Sequence, residues 1–224
     1  MDKQVINVPE AGALAQPRTR KDFFKSVAVA GAGAAAGAAM LTPRAYAQSG
    51  GGDVGIANFA LTLEYLEAEF YTLAVDSGVL SGDALAVVTN LRDHENAHAQ
   101  AIIDLLNSVG ATPVEKPQFT FPDSALSSQA AILETAATLE PVGVGAYLGA
   151  APMIQDPDIL AAAASIEVIE GEHVVAVNGL LGVVPPANTA FPEALTKDQV
   201  LAKVAPFMGM SEMPDTGGVD PSSR

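Results

Sequence analysis

The sequence predicts an all-α protein: an antiparallel four-helix bundle with one long crossover and a short fifth helix. Three observations lead there. The chain is rich in alanine, has no Trp and only 5% aromatic residues, a composition suited to closely packed helices rather than a sheet sandwich. Long stretches carry apolar residues at three- and four-residue spacing. Between the second and third of these lies a stretch, Gly110 to Ser124, with no helical period and with Pro113, Pro117 and Pro122.

The elements follow in order. Gln48 to Asp53 is a Gly-rich joint. A helix is expected from about Val54 to Ser77, where Ile56, Phe59, Ala60, Leu63, Leu66, Phe70 and Leu73 recur on one side, and Gly78 stops it. A second runs from about Ser81, its N-cap, to Val109, with Gly110 beyond its end. The crossover comes next. Fifteen extended residues reach about 50 Å, more than the roughly 36 Å of a 24-residue helix, so this stretch can return along the whole bundle. A third helix is expected from near Ala125, capped by Asp123 or Ser124, to about Ile154, with a kink or bulge at Pro141. A fourth spans about Pro157 to Leu181, and Pro185 and Pro186 end the bundle. A short fifth, about Lys197 to Val204, opens at the capping box Thr196-x-x-Gln199. The expected division is therefore a bundle over 53–182, a short C-terminal helix within 183–210 packing on it, and a disordered tail over 211–224.

Residues 1–47 read as an address. They hold six of the eleven cations (Lys3, Arg18, Arg20, Lys21, Lys25, Arg44) but only three acids, followed by a weakly apolar run from Val27 to Leu41 and by Ala45-Tyr46-Ala47, a small-x-small cleavage signature. The run is short for a membrane span of about 20 residues; an uncleaved N-terminal anchor is the alternative. Thr19-Arg20-Lys21-Asp22-Phe23-Phe24-Lys25 resembles the twin-arginine export signal, with Lys21 where the second Arg belongs. Export to the periplasm or the outside is the expected localisation.

Composition also excludes. With no Cys there are no disulfides, thiolate metal sites, iron–sulfur clusters or cysteine nucleophiles. Any metal must be held by oxygen and nitrogen. A formal net charge of −15 argues against nucleic acid and against anionic membrane surfaces.

The chemistry lies in an internal repeat. The first helix carries Glu64-x6-Tyr71 and the third Glu140-x6-Tyr147. The second carries Glu95-Asn96-Ala97-His98 and the fourth Glu170-Gly171-Glu172-His173, both Glu-x-x-His. Glu64 and Glu95 are 31 residues apart, Glu140 and Glu170 are 30 apart. The chain thus reads as two helical hairpins, each with a lone carboxylate and a Glu–His pair. Positions i and i+3 lie on nearly one helix face, so each pair can aim at one spot in the core. Four buried carboxylates repel one another and are costly to desolvate without cations among them. Two divalent metals supply that charge, in the di-iron or di-manganese carboxylate arrangement.

These residues make the chain resemble the ferritin-like superfamily, and more closely the exported ferritin-like domain proteins that include desiccation-associated proteins. The resemblance rests on Asn58-Phe59-Ala60-Leu61-x-Leu63-Glu64-Tyr65-Leu66-Glu67-Ala68-Glu69-Phe70-Tyr71, on His94-Glu95-x-x-His98, and on Gly143-Val144-Gly145-Ala146-Tyr147-Leu148-Gly149-Ala150. It covers about Asp53 to Phe207. It implies a ferritin-like bundle with a single crossover between its second and third helices. It implies Glu64 and Glu140 as single-Glu ligands, Glu95, His98, Glu170 and His173 as paired ligands, and Tyr71 and Tyr147 as hydrogen bonders to the ligands. Pro141 directly follows Glu140 and bears on whether that carboxylate can ligate.

The implied cofactor is two iron or two manganese ions, and the implied partner a small oxidant. Candidate activities are ferroxidase, peroxidase or manganese-catalase-like dismutation, in oxidative or desiccation stress. A homo-oligomer is compatible with this. Glu67, one turn from Glu64, could back up or replace it, and Glu167 stands in reserve before Glu170; Glu172 is expected in solvent. His94 is expected to support the site or lie at the surface. His94-Glu95-Asn96-Ala97-His98 also spells the His-Glu-x-x-His of zinc proteases, but a protease would leave Glu64, Glu140, Glu170 and the repeat without a role. The alternative from another class is a non-catalytic, stress-protective or structural bundle with a degenerate metal site.

Overall fold

A computed structural model describes residues 51–183 and 190–208. Residues 1–47, expected to direct export, Pro185-Pro186 and the tail over 211–224 lie outside the described residues. Among the described residues the structure is all helical, and no helix is long and apolar enough to cross a membrane.

Helix α1 spans Gly52–Asp76 and α2 spans Gly82–Ser108. Gly78 and Gly110, at φ of 71° and 73°, adopt the left-handed conformation that closes a helix end at little cost. The first helix begins earlier than its apolar pattern suggests. The buried Asp53 carboxylate accepts the backbone N–H groups of Gln155 and Asp156 at 2.9 and 2.8 Å, and so holds the start of α1 against the connection that leads into the fourth helix. Ser81 occupies the N-cap of α2 but makes no side-chain cap bond. Its backbone N–H instead donates to Gln129 Oε1 at 3.1 Å, joining the starts of two helices.

The crossover runs back along α1. Asn58 Oδ1 accepts the Val114 N–H at 2.6 Å, Lys116 pairs with Glu69, and the Phe121 ring lies 5.5 Å from that of Phe70. Those contacts climb α1 from residue 58 to 70, about 18 Å of helix rise. The chain therefore goes up in α1, down in α2, returns by the crossover, and descends again in α3, Gln129–Ala150. Helix α4, Pro157–Leu180, goes up. Helix α1 packs on α2 and α3, and α4 packs on both of them in turn.

Helix α3 starts later than expected. Pro122 is followed by a 3-10 turn, Asp123–Leu126, and Ser128 is the true cap, its hydroxyl accepting the Ala131 N–H at 3.2 Å. It also ends sooner, at Ala150, and a 3-10 turn carries Ala151–Met153, where Pro152 has no N–H to donate. Helix α3 continues unbroken through Pro141, whose ring is exposed. The ring thus lies on the solvent side of α3, while the Glu140 side chain beside it is buried. Asp156 caps α4, accepting from Asp158 and Ile159 N–H. Helix α5, Lys197–Val204, has the full capping box of Thr196 and Gln199 and packs on α3.

Two apolar layers fill the bundle. The upper contains Leu66, Phe70, Leu133, Leu139 and Val177, closed by Val204 and Phe207. The lower contains Leu61, Ala99, Ile102, Leu106 and Ile166. Between them, at the same height on all four helices, sit Glu64, Glu95, His98, Glu140, Glu170 and His173.

Candidate metal centre

All six of these polar side chains are buried, four of them to 0–1% exposure. His98 Nδ1 lies 3.2 Å from Glu64 Oε2, 3.1 Å from Glu95 Oε2 and 3.3 Å from Glu170 Oε1. His173 Nδ1 lies 2.9 Å from Glu95 Oε1 and 3.3 Å from Glu140 Oε2. Two sets of donor atoms result, each lying within 4.8 Å of one another: Glu64, Glu95, His98 and Glu170, and Glu95, Glu140, Glu170 and His173. Glu95 and Glu170 belong to both.

Hydrogen bonds do not account for this layer. Glu64 Oε2, Glu95 Oε1, Glu140 Oε2, both oxygens of Glu170 and His173 Nδ1 are buried and crowd one another at ion-pair distance, yet none of them makes a hydrogen bond. Orphaned buried polar atoms are rare and costly. Five carboxylate oxygens and one imidazole nitrogen converging in one layer are a donor set for hard or borderline divalent cations, so the residues fit a pair of such ions.

Proton affinities report the same crowding. Burial raises Glu64 to about 7 against the pull of His98. Burial likewise raises Glu140, and Glu170 further still with the Glu95 charge beside it. Glu95 is the exception. Burial would raise it, but the His173 and His98 imidazoles beside it bring it down to about 2. Burial would lower both imidazoles, but the surrounding carboxylates lift His98 to about 12 and His173 to about 10. Without metal, protons occupy the space where cations are wanted.

The tyrosines support these carboxylates crosswise. Tyr71 on α1 donates to Glu140 Oε1 on α3, and Tyr147 on α3 donates to Glu64 Oε1 on α1. Each therefore serves the lone carboxylate of the other hairpin. His94 Nδ1 lies 3.0 Å from His173 Nε2, with the rings stacked 5.2 Å apart. It braces a histidine of α4 rather than sharing an ion with His98, and neither donor set contains it. Glu67 is buried at 4% exposure and faces Glu170, yet lies outside both sets. Glu167 is half-buried and in neither set, and Glu172 is exposed.

Sequence reasoning missed why the segment Gly143 to Ala150 is so rich in glycine. A Cβ on Gly143 would stand 2.5 Å from Glu170 Oε2, so its absence leaves room for that carboxylate. A Cβ on Gly149 would fall on the Leu195 carbonyl oxygen. Leu195 N–H donates to Gly145 O at 2.8 Å, so the backbone before α5 lies directly on α3. Asp53 was missed as well, since a lone acid in a Gly-rich joint carries no periodic signal.

A four-helix bundle with one long crossover and a buried carboxylate–imidazole layer that could hold metal ions defines a ferritin-like protein. Residues 52–183 match the ferritin-like domain family, and the chain belongs to that family. Among solved structures it is similar in fold to a conserved hypothetical protein from Mycobacterium tuberculosis. The two share 19% identity and a TM-score of 0.53 over 62% of this chain and 96% of that one. Comparison with curated proteins finds no match.

Proposed function

We propose that this is an exported redox metalloprotein that holds two iron or two manganese ions and handles iron, dioxygen or peroxide under oxidative or desiccation stress. The observation that carries the proposal is the set of orphaned carboxylate oxygens and His173 Nδ1 in the mid-bundle layer. Glu64 and His98 would hold one ion, Glu140 and His173 the other, and Glu95 and Glu170 would serve both. Such a pair, when bound, would exchange two electrons with a small oxidant, one at each ion.

The chain's own residues do the rest. Tyr147 and Tyr71 fix the orientation of Glu64 and Glu140 by hydrogen bonds. His94 Nδ1 at 3.0 Å holds the His173 ring from behind, as an outer partner sets the tautomer of a ligand histidine. The apolar layer above seals the site on that side, where Tyr71 is at 0% exposure.

Export rests on the basic n-region, the apolar run and Ala45-Tyr46-Ala47. The test is elemental analysis of the chain purified from its own compartment, with mass spectrometry of its N-terminus. About two iron or manganese ions per chain, ferrous or peroxide turnover, and a start near Gln48 are expected. A folded chain without either metal would favour the non-catalytic protective bundle. An intact Met1 in the soluble cytoplasm would overturn export.

A further inference from the structure

Below the carboxylate–imidazole layer the bundle holds a half-open apolar cavity of about 200 Å³. Its walls include Ala60 and Leu63 of α1, Ile102 of α2, Ala163 of α4, and Tyr147. Lys197, at the start of α5, lines its rim, with Nζ 5.2 Å from the centroid of the Phe59 ring that lines it too. No acid lines the cavity. The described residues carry only four cations, Arg92, Lys116, Lys197 and Lys203, among many acids. Arg92 and Lys116 are paired with Asp93 and Glu69. A lysine at the mouth of an acid-free apolar cavity is therefore a specific charge signal in an acidic protein.

The two halves of the bundle also differ here. Tyr71 is sealed at 0% exposure, beside Phe70, whose ring meets Phe121. Its counterpart Tyr147 keeps 8% exposure, on the cavity wall. The same place is filled on one side of the repeat and open on the other.

We infer that this cavity binds a linear amphiphile with an anionic head, of the medium-chain fatty acid class, its tail among the alanines and its carboxylate at Lys197. An apolar cavity of about 150 Å³ accommodates the six carbons of benzene, so this one suits a tail of about eight carbons. The competing occupant is the chain's own apolar run, Val27 to Leu41, which precedes Gly51 at the rim. That run contains no acid and has Lys25 and Arg44 on its flanks, so it offers nothing to Lys197. The inference does not depend on which metal occupies the centre above.

The experiment titrates the full-length chain with octanoate, decanoate, decanol and decyltrimethylammonium. Heat and tyrosine emission are followed, the latter a clean signal because there is no Trp. One decanoate per chain is expected, bound about fourfold more tightly for each CH₂ added until the cavity is full, and more tightly than the cationic amphiphile. Lys197→Met, at an exposed position, should weaken decanoate about three- to fivefold and leave decanol unchanged. Ala163→Phe should abolish binding of both; its circular dichroism and metal content show whether the bundle remains. No saturable binding to the full-length chain would overturn the inference, as would a decanoate affinity indifferent to Lys197→Met or to a folded Ala163→Phe variant.

Discussion

Tyr147 reaches from α3 to hydrogen-bond Glu64 on α1, 83 residues away in sequence. With its counterpart, Tyr71 to Glu140, it stitches the two hairpins together at the level of the metal layer. Both tyrosines hold a buried carboxylate, but their surroundings differ, and this separates the consequences of removing them.

Tyr71→Phe should cost more than Tyr147→Phe. Each leaves a buried carboxylate oxygen without its donor, a loss of about 1–3 kcal/mol. Beside Tyr147 lies a cavity from which a water can replace the hydroxyl, whereas Tyr71 is sealed. Chemical denaturation of the two metal-free variants measures the difference. Equal losses would show that the cavity does not relieve Glu64.

His98→Ala and His173→Ala should each remove the nitrogen ligand of one ion, lowering metal content and abolishing oxidation of ferrous iron or peroxide. His94→Ala should keep both ions and weaken binding about tenfold, because it loosens His173 without removing a donor. The helices should persist in all three, held by the apolar layers. Metal content and far-ultraviolet circular dichroism decide it. An equal loss of metal from all three would reassign His94 as a ligand.

Gly143→Ala and Gly149→Ala should fail in different ways. The first crowds the end of the Glu170 side chain, which can swing aside, so metal affinity should fall about tenfold with little change in unfolding. The second collides with the Leu195 backbone and should destabilise the fold by about 1–3 kcal/mol while leaving metal affinity near wild type. Metal titration and thermal unfolding of both variants give the comparison, and a reversed pattern would contradict it.

Stability without metal should fall as pH rises from about 4.5 to 7.5. Glu64 holds its proton up to about 7 in the folded chain and to 4.5 ordinarily. Its contribution is thus full below 4.5 and lost as pH climbs through 7. The raised histidines add to the loss above 6.5. Glu95, brought down to about 2, acts oppositely, losing its contribution as pH falls from 4.5 toward 2. Bound metal replaces the protons and should reverse the slope. Thermal midpoints with chelator and with manganese across this range test it. A rising midpoint in chelator would refute the assignment.

Much of the fold is legible in the sequence because periodicity and caps are local. The four long helices and the crossover follow from spacing, Gly78, Gly110 and the three prolines. The six clustered side chains follow from the repeat, because Glu-x-x-His fixes two donors on one helix face. What sequence does not disclose is pairing between helices. The tyrosine exchange, the seat of Leu195 on Gly145 and Gly149, and the hold of Asp53 on residues 155 and 156 depend on which faces meet. The start of α3 was misplaced because Asp123, Ser124 and Ser128 are all competent caps, and only the length taken up by the 3-10 turn selects Ser128.

Glu95 and Glu170 come from different hairpins, and both belong to each donor set. Neither hairpin alone can therefore assemble one complete set, and the centre comes into being only when the two have docked. Ions would then act as a latch on a finished structure rather than as a template for building it. Interactions absent from the folding transition state slow unfolding and leave folding rates alone.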